Sequence, residues 1–256
     1  ILNVTPDSFS DGGKFNSVDE ALKHALEMVE EGADIIDLGG ESTRPGHIYV
    51  DVDYVDVDEE LKRVIPVVKK LKEELDTPIS VDTYKAKVAD ESLKLGAEMI
   101  NDIWGLRKDK DMANVIAKHN AYVCIMHNQD GTEYDKDIIE SIKEFLLESV
   151  DIAIEAGIDK NKIVLDPGIG FGKTYEQNLE VLKRLGELKT LGYPILLGTS
   201  RKSVIGNTLN LPPQERVEGT IATTVLGIRD GVDIVRVHDV EKNLRAAKMA
   251  DAIYRV

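Results

Sequence analysis

Glu31-Gly32-Ala33-Asp34-Ile35-Ile36-Asp37-Leu38-Gly39-Gly40-Glu41 holds the unit that the whole chain repeats. A glycine joint closes a helix, a short apolar run follows, and a polar cluster ends it. Glycine just past the last helical turn suits the left-handed C-cap position. The joint recurs as Leu95-Gly96-Ala97-Glu98, Ala156-Gly157-Ile158-Asp159 and Asp230-Gly231-Val232-Asp233. Working outward from these joints, the apolar runs at 1–4, 34–38, 78–81, 99–101, 121–126, 163–165, 194–197 and 233–237 read as strands. A helical stretch follows each, at 18–31, 58–75, 85–95, 110–118, 135–156, 175–188, 215–230 and 241–254. Strict alternation predicts a parallel α/β fold. Eight units favour a closed (β/α)8 TIM barrel over an open doubly wound sheet, and 256 residues suit one such barrel as a single domain, 1–256. Ile1-Leu2-Asn3-Val4 reads as the tail of a strand, so a preceding segment is expected.

The formal net charge of −15 argues against nucleic acid or an anionic membrane surface as the main partner. No apolar run approaches the roughly 20 residues of a membrane span, and no signal peptide is visible. The single cysteine, Cys124, lies in the apolar run Tyr122-Val123-Cys124-Ile125-Met126 and reads as a small buried hydrophobe. Without a disulfide framework, a reducing, cytoplasmic setting is expected.

The strand ends carry the chemistry. In order they offer Asn3, Asp37, Asp82, Asn101-Asp102, His127-Asn128, Asp166, Thr199-Ser200-Arg201-Lys202, and Arg236 with His238. A single Asp after a strand is often only a helix cap. Eight polar ends that a barrel gathers on one face read instead as one composite site. Asp82, Asp166 and Asn101 can pair with the donor–acceptor edge of a heterocycle. Arg44, Lys202, Arg236 and His238 supply cations, and arginine grips phosphate or carboxylate in a two-pronged fork. His238 lies two residues after Arg236, so on a strand the two share a face and form a cationic edge. The ligand class this suggests is a polar heterocycle bearing a phosphate or diphosphate.

Several other motifs fail. Gly168-Ile169-Gly170-Phe171-Gly172-Lys173-Thr174 resembles a phosphate-binding loop, but Pro167 occupies the position of its first glycine. It also lacks the full dinucleotide fingerprint. It reads as a flexible turn that lets backbone approach a flat ligand, with Phe171 either covering that ligand or simply packing. Ser200 and Ser203 lack a G-x-S-x-G elbow. The five histidines show no H-x-x-x-H spacing for zinc. His24 and His119 read as solvated, His127 as a strand-end cap or a site residue. The charges at 58–60 and 69–72 read as the wet face of one helix.

These clusters resemble the dihydropteroate synthases. The resemblance rests on Asn3-Val4-Thr5-Pro6-Asp7-Ser8-Phe9-Ser10-Asp11-Gly12-Gly13, Asp37-Leu38-Gly39-Gly40-Glu41-Ser42-Thr43-Arg44-Pro45-Gly46, Ser80-Val81-Asp82-Thr83, Ile100-Asn101-Asp102, Met126-His127-Asn128, Asp166-Pro167-Gly168-Ile169-Gly170-Phe171, Thr199-Ser200-Arg201-Lys202-Ser203 and Arg236-Val237-His238, in that order. It implies an enzyme of folate biosynthesis that joins 6-hydroxymethyl-7,8-dihydropterin diphosphate to p-aminobenzoate and releases pyrophosphate. It further implies that Asp82, Asn101, Asp166 and Lys202 bind the pterin edge, with Met126 and Phe171 nearby. The diphosphate falls to Asn3, Thr43, Arg236 and His238, with Mg2+ bound and Asn3 as its ligand. Phe9, Asp11, Thr43, Arg44, Pro45 and Ser203 frame the p-aminobenzoate pocket, which sulfonamides are expected to occupy. Asp82, Lys202, Arg236 and His238 are the catalytic set, and a homodimer through the last helices is expected. Asn128 departs from the Met-His-Met run of some members. A pterin-binding methyltransferase domain is the alternative, but it does not need the 42–45 and 199–203 stretches. A binding-only paralogue is disfavoured by the presence of Asp82, Lys202 and Arg236. A Schiff-base barrel needs a strand lysine, and none of the eight strands contains one.

Overall fold

A computed structural model describes residues 1–4, 14–41 and 55–255. Its strands are β1 (Leu2–Asn3), β2 (Ile36–Gly39), β3 (Ile79–Asp82), β4 (Met99–Asp102), β5 (Tyr122–Met126), β6 (Ile163–Asp166), β7 (Leu196–Leu197) and β8 (Ile234–Val235). Its helices are α1 (Lys14–Glu30), α2 (Val57–Glu74), α3 (Ala86–Lys94), α4 (Met112–Lys118), α5 (Ile138–Glu155), α6 (Tyr175–Lys183), α7 (Ser203–Leu209), α8 (Val217–Arg229) and α9 (Val240–Tyr254). The strands pair in the order β1-β2-β3-β4-β5-β6, and β7 pairs with β8. A parallel bridge between Leu165 and Ile195 links β6 to the residue before β7. Each strand leads into a helix, so the chain follows the (β/α)8 plan that its alternation predicts. The exception is α7, which falls where the sequence analysis places no element. Its seven residues are too few for an apolar period to show.

The glycine joints work as expected, and in one geometry. Gly32, Gly96, Gly157 and Gly231 all have φ between 94° and 101°. At the first, the amide of Gly32 donates to Val29 O and that of Ala33 to Met28 O; the other three repeat the pair. This double bond satisfies carbonyls that the helix end leaves open. β2, β3, β4 and β6 are buried at every position, as parallel strands covered on both faces are.

By compactness the chain divides into two units. The first comprises residues 1–102, 106–123 and 152–162, the second 103–105, 124–151 and 163–256. The first packs Leu2, Ile36, Leu38, Val64, Leu71, Ile79 and Ile100 out of solvent, the second Ile125, Ile139, Ile142, Leu146 and Leu165. Each such side chain stabilises its unit by about 1.5–3 kcal/mol. Cys124 is fully buried, as its apolar context implies.

Two expectations are corrected in the first unit. Glu60 is not on the wet face of α2, since it is 1% exposed. It recurs with Val64, Val67, Val68 and Leu71, a 3.6-residue period that puts it on the inward stripe. There its carboxylate and that of Glu41 both bond the buried Lys85 ammonium. His119 is not simply solvated either. Its ring is 18% exposed and lies 2.7 Å from Asp90.

In the Lys85 cluster one cation serves two carboxylates. Burial works against the Lys85 charge, but Glu60 and Glu41 hold its pKa above the ordinary lysine value. Burial also pushes the Glu60 carboxyl up, against the pull of Lys85. Removing one partner of a buried pair costs about 3–5 kcal/mol. Lys85→Met is therefore expected to destabilise the protein by about 3 kcal/mol at pH 8. A carboxyl whose folded pKa is raised stabilises the fold below its unfolded pKa and loses that contribution as pH rises. The Lys85→Met defect should therefore shrink toward about pH 5, read as the urea midpoint at each pH. An equal defect at both pH values would refute the buried-carboxyl account.

Candidate active site

In the first unit the strand ends line up. Asn3 is in register with Gly39, Gly39 with Asp82, and Asp82 with Asn101. In-register residues of parallel strands send their side chains to the same face. The row therefore reads amide, gap, carboxylate, amide. A Cβ on Gly39 would lie 3.6 Å from Asp82 Cβ and 3.8 Å from Asn3 Oδ1, so the glycine leaves a slot between them. Asp82 and Asn101 are buried and Asn3 is exposed. The Asn101 side-chain oxygen Oδ1 is buried without a hydrogen-bond partner among the described residues. A buried acceptor left so costs about 1–3 kcal/mol, which a ligand N–H would relieve. Asp102 works differently, since its side chain accepts the Leu106 amide at 3.0 Å and shapes the turn after β4.

The second unit repeats the pattern with opposite charges added. The His127 amide donates to Asp166 O at 2.9 Å and the Arg236 amide to Leu197 O at 3.0 Å, which sets the ends of β5, β6, β7 and β8 side by side. Between Asp166 and Arg236 lies Gly198, where a Cβ would sit 3.8 Å from Asp166 Oδ2 and 3.9 Å from Arg236 Cβ. Burial raises the Asp166 pKa, while Lys202, the Gly168 amide, Arg236 and Lys173 oppose the rise. Lys202 bonds Ile169 O and stands 4.6 Å over the Phe171 ring, an attraction between ammonium and aromatic face. Phe171 thus holds Lys202 in place. Met126 is buried at the end of β5, and Ser203 is exposed as the first residue of α7.

The cationic edge expected from Arg236 and His238 needs correction. Burial, with Arg201 and Arg236 alongside, pushes the His238 pKa down to about 3. The imidazole is therefore neutral at physiological pH. Its Nδ1 lies 2.9 Å from Ser200 Oγ, and that oxygen also accepts the His238 amide at 3.1 Å. Through these two contacts Ser200 orients the His238 ring, which is neutral whichever of its nitrogens carries the proton.

Asn128 is buried, and its side-chain oxygen Oδ1 also lacks a hydrogen-bond partner among the described residues. Phe9, Asp11, Thr43, Arg44 and Pro45 lie outside the described residues. Lys173 and Asn178 fasten the loop after β6 without any sequence pattern that marks them. The one local signal was Thr174-x-x-Gln177, which forms a reciprocal capping box and starts α6 directly after the glycine-rich loop.

In each unit, parallel strand ends set polar side chains beside a glycine slot, the arrangement of an α/β enzyme. Residues 1–238 match the family described as pterin binding enzyme. The chain is 61% identical over 256 residues to a dihydropteroate synthase of Clostridium beijerinckii, covering all of this chain and 93% of that one. It is 58% identical to that of Bacillus subtilis, covering 99% and 87%. A dihydropteroate synthase from Clostridium difficile, solved in the presence of pteroic acid, is 72% identical with a TM-score of 0.95, covering 100% and 95%. One from Xanthomonas albilineans, in complex with 7,8-dihydropteroate, is 40% identical with a TM-score of 0.90, covering 100% and 92%. The chain belongs to the pterin-binding enzyme family, among the dihydropteroate synthases.

Proposed function

We propose that this chain condenses 6-hydroxymethyl-7,8-dihydropterin diphosphate with p-aminobenzoate to give 7,8-dihydropteroate and pyrophosphate. The row Asn3, Gly39, Asp82 and Asn101 carries the reading, because it offers a carboxylate and an amide acceptor beside a slot without side chains. The two acceptors suit the N–H edge of a pterin. On this reading Asp82, Asn101, Asp166 and Lys202 hold that edge, and Met126 and Phe171 cover the ring. Asn3, Thr43, Arg236 and His238 take the diphosphate. Phe9, Asp11, Thr43, Arg44, Pro45 and Ser203 frame p-aminobenzoate. The whole chain acts as one pterin-binding domain.

The family implies Mg2+. An exposed asparagine amide oxygen is a hard, neutral donor of the kind Mg2+ takes beside substrate phosphates, so Asn3 fits that role. Bound there, Mg2+ would neutralise charge on the leaving pyrophosphate. The chain's own groups do the rest. The C–O bond to pyrophosphate breaks with its electron pair on the leaving oxygen, and the pterin methylene becomes cationic. Asp82 stabilises that charge, and Arg236 with His238 stabilises the anion. The aniline nitrogen then forms the C–N bond and loses a proton. Water would capture the same cation, so the site must exclude it.

The test is pyrophosphate release by the purified chain with pterin diphosphate, Mg2+ and p-aminobenzoate, each omitted in turn. Release that needs all three is expected. Release independent of p-aminobenzoate would make the chain a hydrolase and overturn the proposal.

Among the described residues no helix is long and apolar enough to cross a membrane. A cytoplasmic setting and a homodimer complete the proposal. Leu226 on α8 and Met249, Ile253 and Tyr254 on α9 are between 47% and 63% exposed, an apolar surface of the kind that dimer interfaces cover. Sedimentation should give twice the mass of one chain, and Met249→Glu with Ile253→Glu should give a monomer. A monomeric parent chain would sink the dimer.

A further inference from the structure

The loop at 167–174, between β6 and α6, holds an ammonium that no substrate role uses. Lys173 is 8% exposed. Its Nζ donates to Gly168 O and Phe171 O, both at 3.0 Å, and lies 2.9 Å from His127 Nδ1. Three acceptors match the three hydrogens of an ammonium when His127 carries its proton on Nε2. Gly168 couples this cation to the site. Its amide donates to Asp166 Oδ1 at 2.7 Å while its carbonyl receives Lys173. The neighbouring carbonyl, Ile169 O, receives Lys202 instead. The rest of the loop is also fastened. Asn178 Oδ1 accepts the Gly170 amide at 2.6 Å, and Tyr134 donates to Gly172 O at 2.8 Å. Lys173 and Lys202 are the charged members of this set, and Lys173 is the one that bonds Gly168.

We infer that Lys173 is a positioning residue which, through Gly168, keeps the Asp166 carboxylate charged and holds the Ile169–Phe171 stretch ready for a flat heterocycle. The inference rests on the reading that Asp166 binds the pterin edge. Only an ionised carboxylate accepts N–H donors through both oxygens without placing its own hydrogen in the way. A fully buried carboxylate keeps its charge only if cations offset the lost hydration. Lys202, Arg236 and Lys173 face Asp166. Asp166, Lys202 and His127 face Lys173. Burial brings Lys173 itself down to about 7, so this support weakens as the lysine loses its proton.

The experiment measures binding of 6-hydroxymethyl-7,8-dihydropterin diphosphate by calorimetry between about pH 5 and pH 8, for the parent chain, Lys173→Met, Lys173→Gln and Asp166→Asn. Lys173→Gln keeps hydrogen-bond donors without the charge, so it separates charge from loop geometry. Both lysine variants should weaken binding about tenfold near neutral pH and move its acid limb up by about one pH unit. The KM for p-aminobenzoate should stay within about twofold. An acid limb that coincides with the parent's in either folded variant overturns the inference. Failure of both variants to fold also overturns it, because Lys173 would then serve folding and not the ligand. Asp166→Asn distinguishes the underlying reading. If it binds as the parent does, Asp166 does not hold the pterin. If it binds poorly while the lysine variants keep the parent limb, only the role of Lys173 fails.

Discussion

Asp82→Asn is expected to lower kcat by about 10²–10³-fold while raising the KM for the pterin diphosphate by less than about tenfold. The substitution keeps shape and one acceptor oxygen in the register row between Gly39 and Asn101. What it removes is the negative charge. The ground-state pterin is neutral, so its edge loses about one hydrogen bond, worth roughly 0.5–1.5 kcal/mol. The transition state carries positive charge at the methylene and the ring, beside a carboxylate that is 7% exposed. Opposite charges in a site closed to water interact far more strongly than at a surface. An interaction made mainly in the transition state shows in kcat and not in KM. Steady-state kinetics with p-aminobenzoate saturating would check this. Equal losses in pterin binding and in turnover would mean that Asp82 only holds the substrate.

Gly168→Ala should destabilise the second unit by roughly 3–5 kcal/mol and weaken pterin binding more than tenfold where the protein still folds. Gly168 has φ +68°, and a Cβ there would lie 1.9 Å from His127 O and 3.1 Å from His127 C. Those are backbone atoms at the end of β5, so no side-chain rotation clears the overlap. Moving Gly168 would also disturb its amide bond to Asp166 and its carbonyl bond to Lys173. Gly157→Ala is the control. Gly157 has φ +94°, but nothing lies within 4 Å of its Cβ position. It should cost only about 1 kcal/mol, the penalty for the backbone conformation alone. Urea midpoints would compare the two, and similar values would show that the 168 turn has room to relax.

Much of this architecture could be read without coordinates. The glycine joints at 32, 96, 157 and 231 announced four helix ends, because a left-handed cap selects glycine through local sterics alone. The eight apolar runs placed every strand to within a few residues. The polar strand ends named Asn3, Asp82, Asn101, Asp166 and Arg236, because strand periodicity is local, but β2 meets the row at Gly39 and not at Asp37, a register that only pairing with β3 sets. α7 escaped because seven residues span barely two turns and show no period. Glu60 was misread because a charge in a run of charges looks solvated until its place on the inward stripe of α2 meets Lys85 from another element.

The order of strands and helices along the chain, the glycine caps and the chemical type of each strand end follow from the amino acids alone, since all of these depend on a residue and its near neighbours in the chain. Which ionisable groups carry charge is set by packing. Lys173 lies among three acceptors, His238 is neutral against Ser200, and Lys85 is shared by two carboxylates. Charge state depends on how much water surrounds a group and on which partners face it across space, and residues distant in the chain supply both.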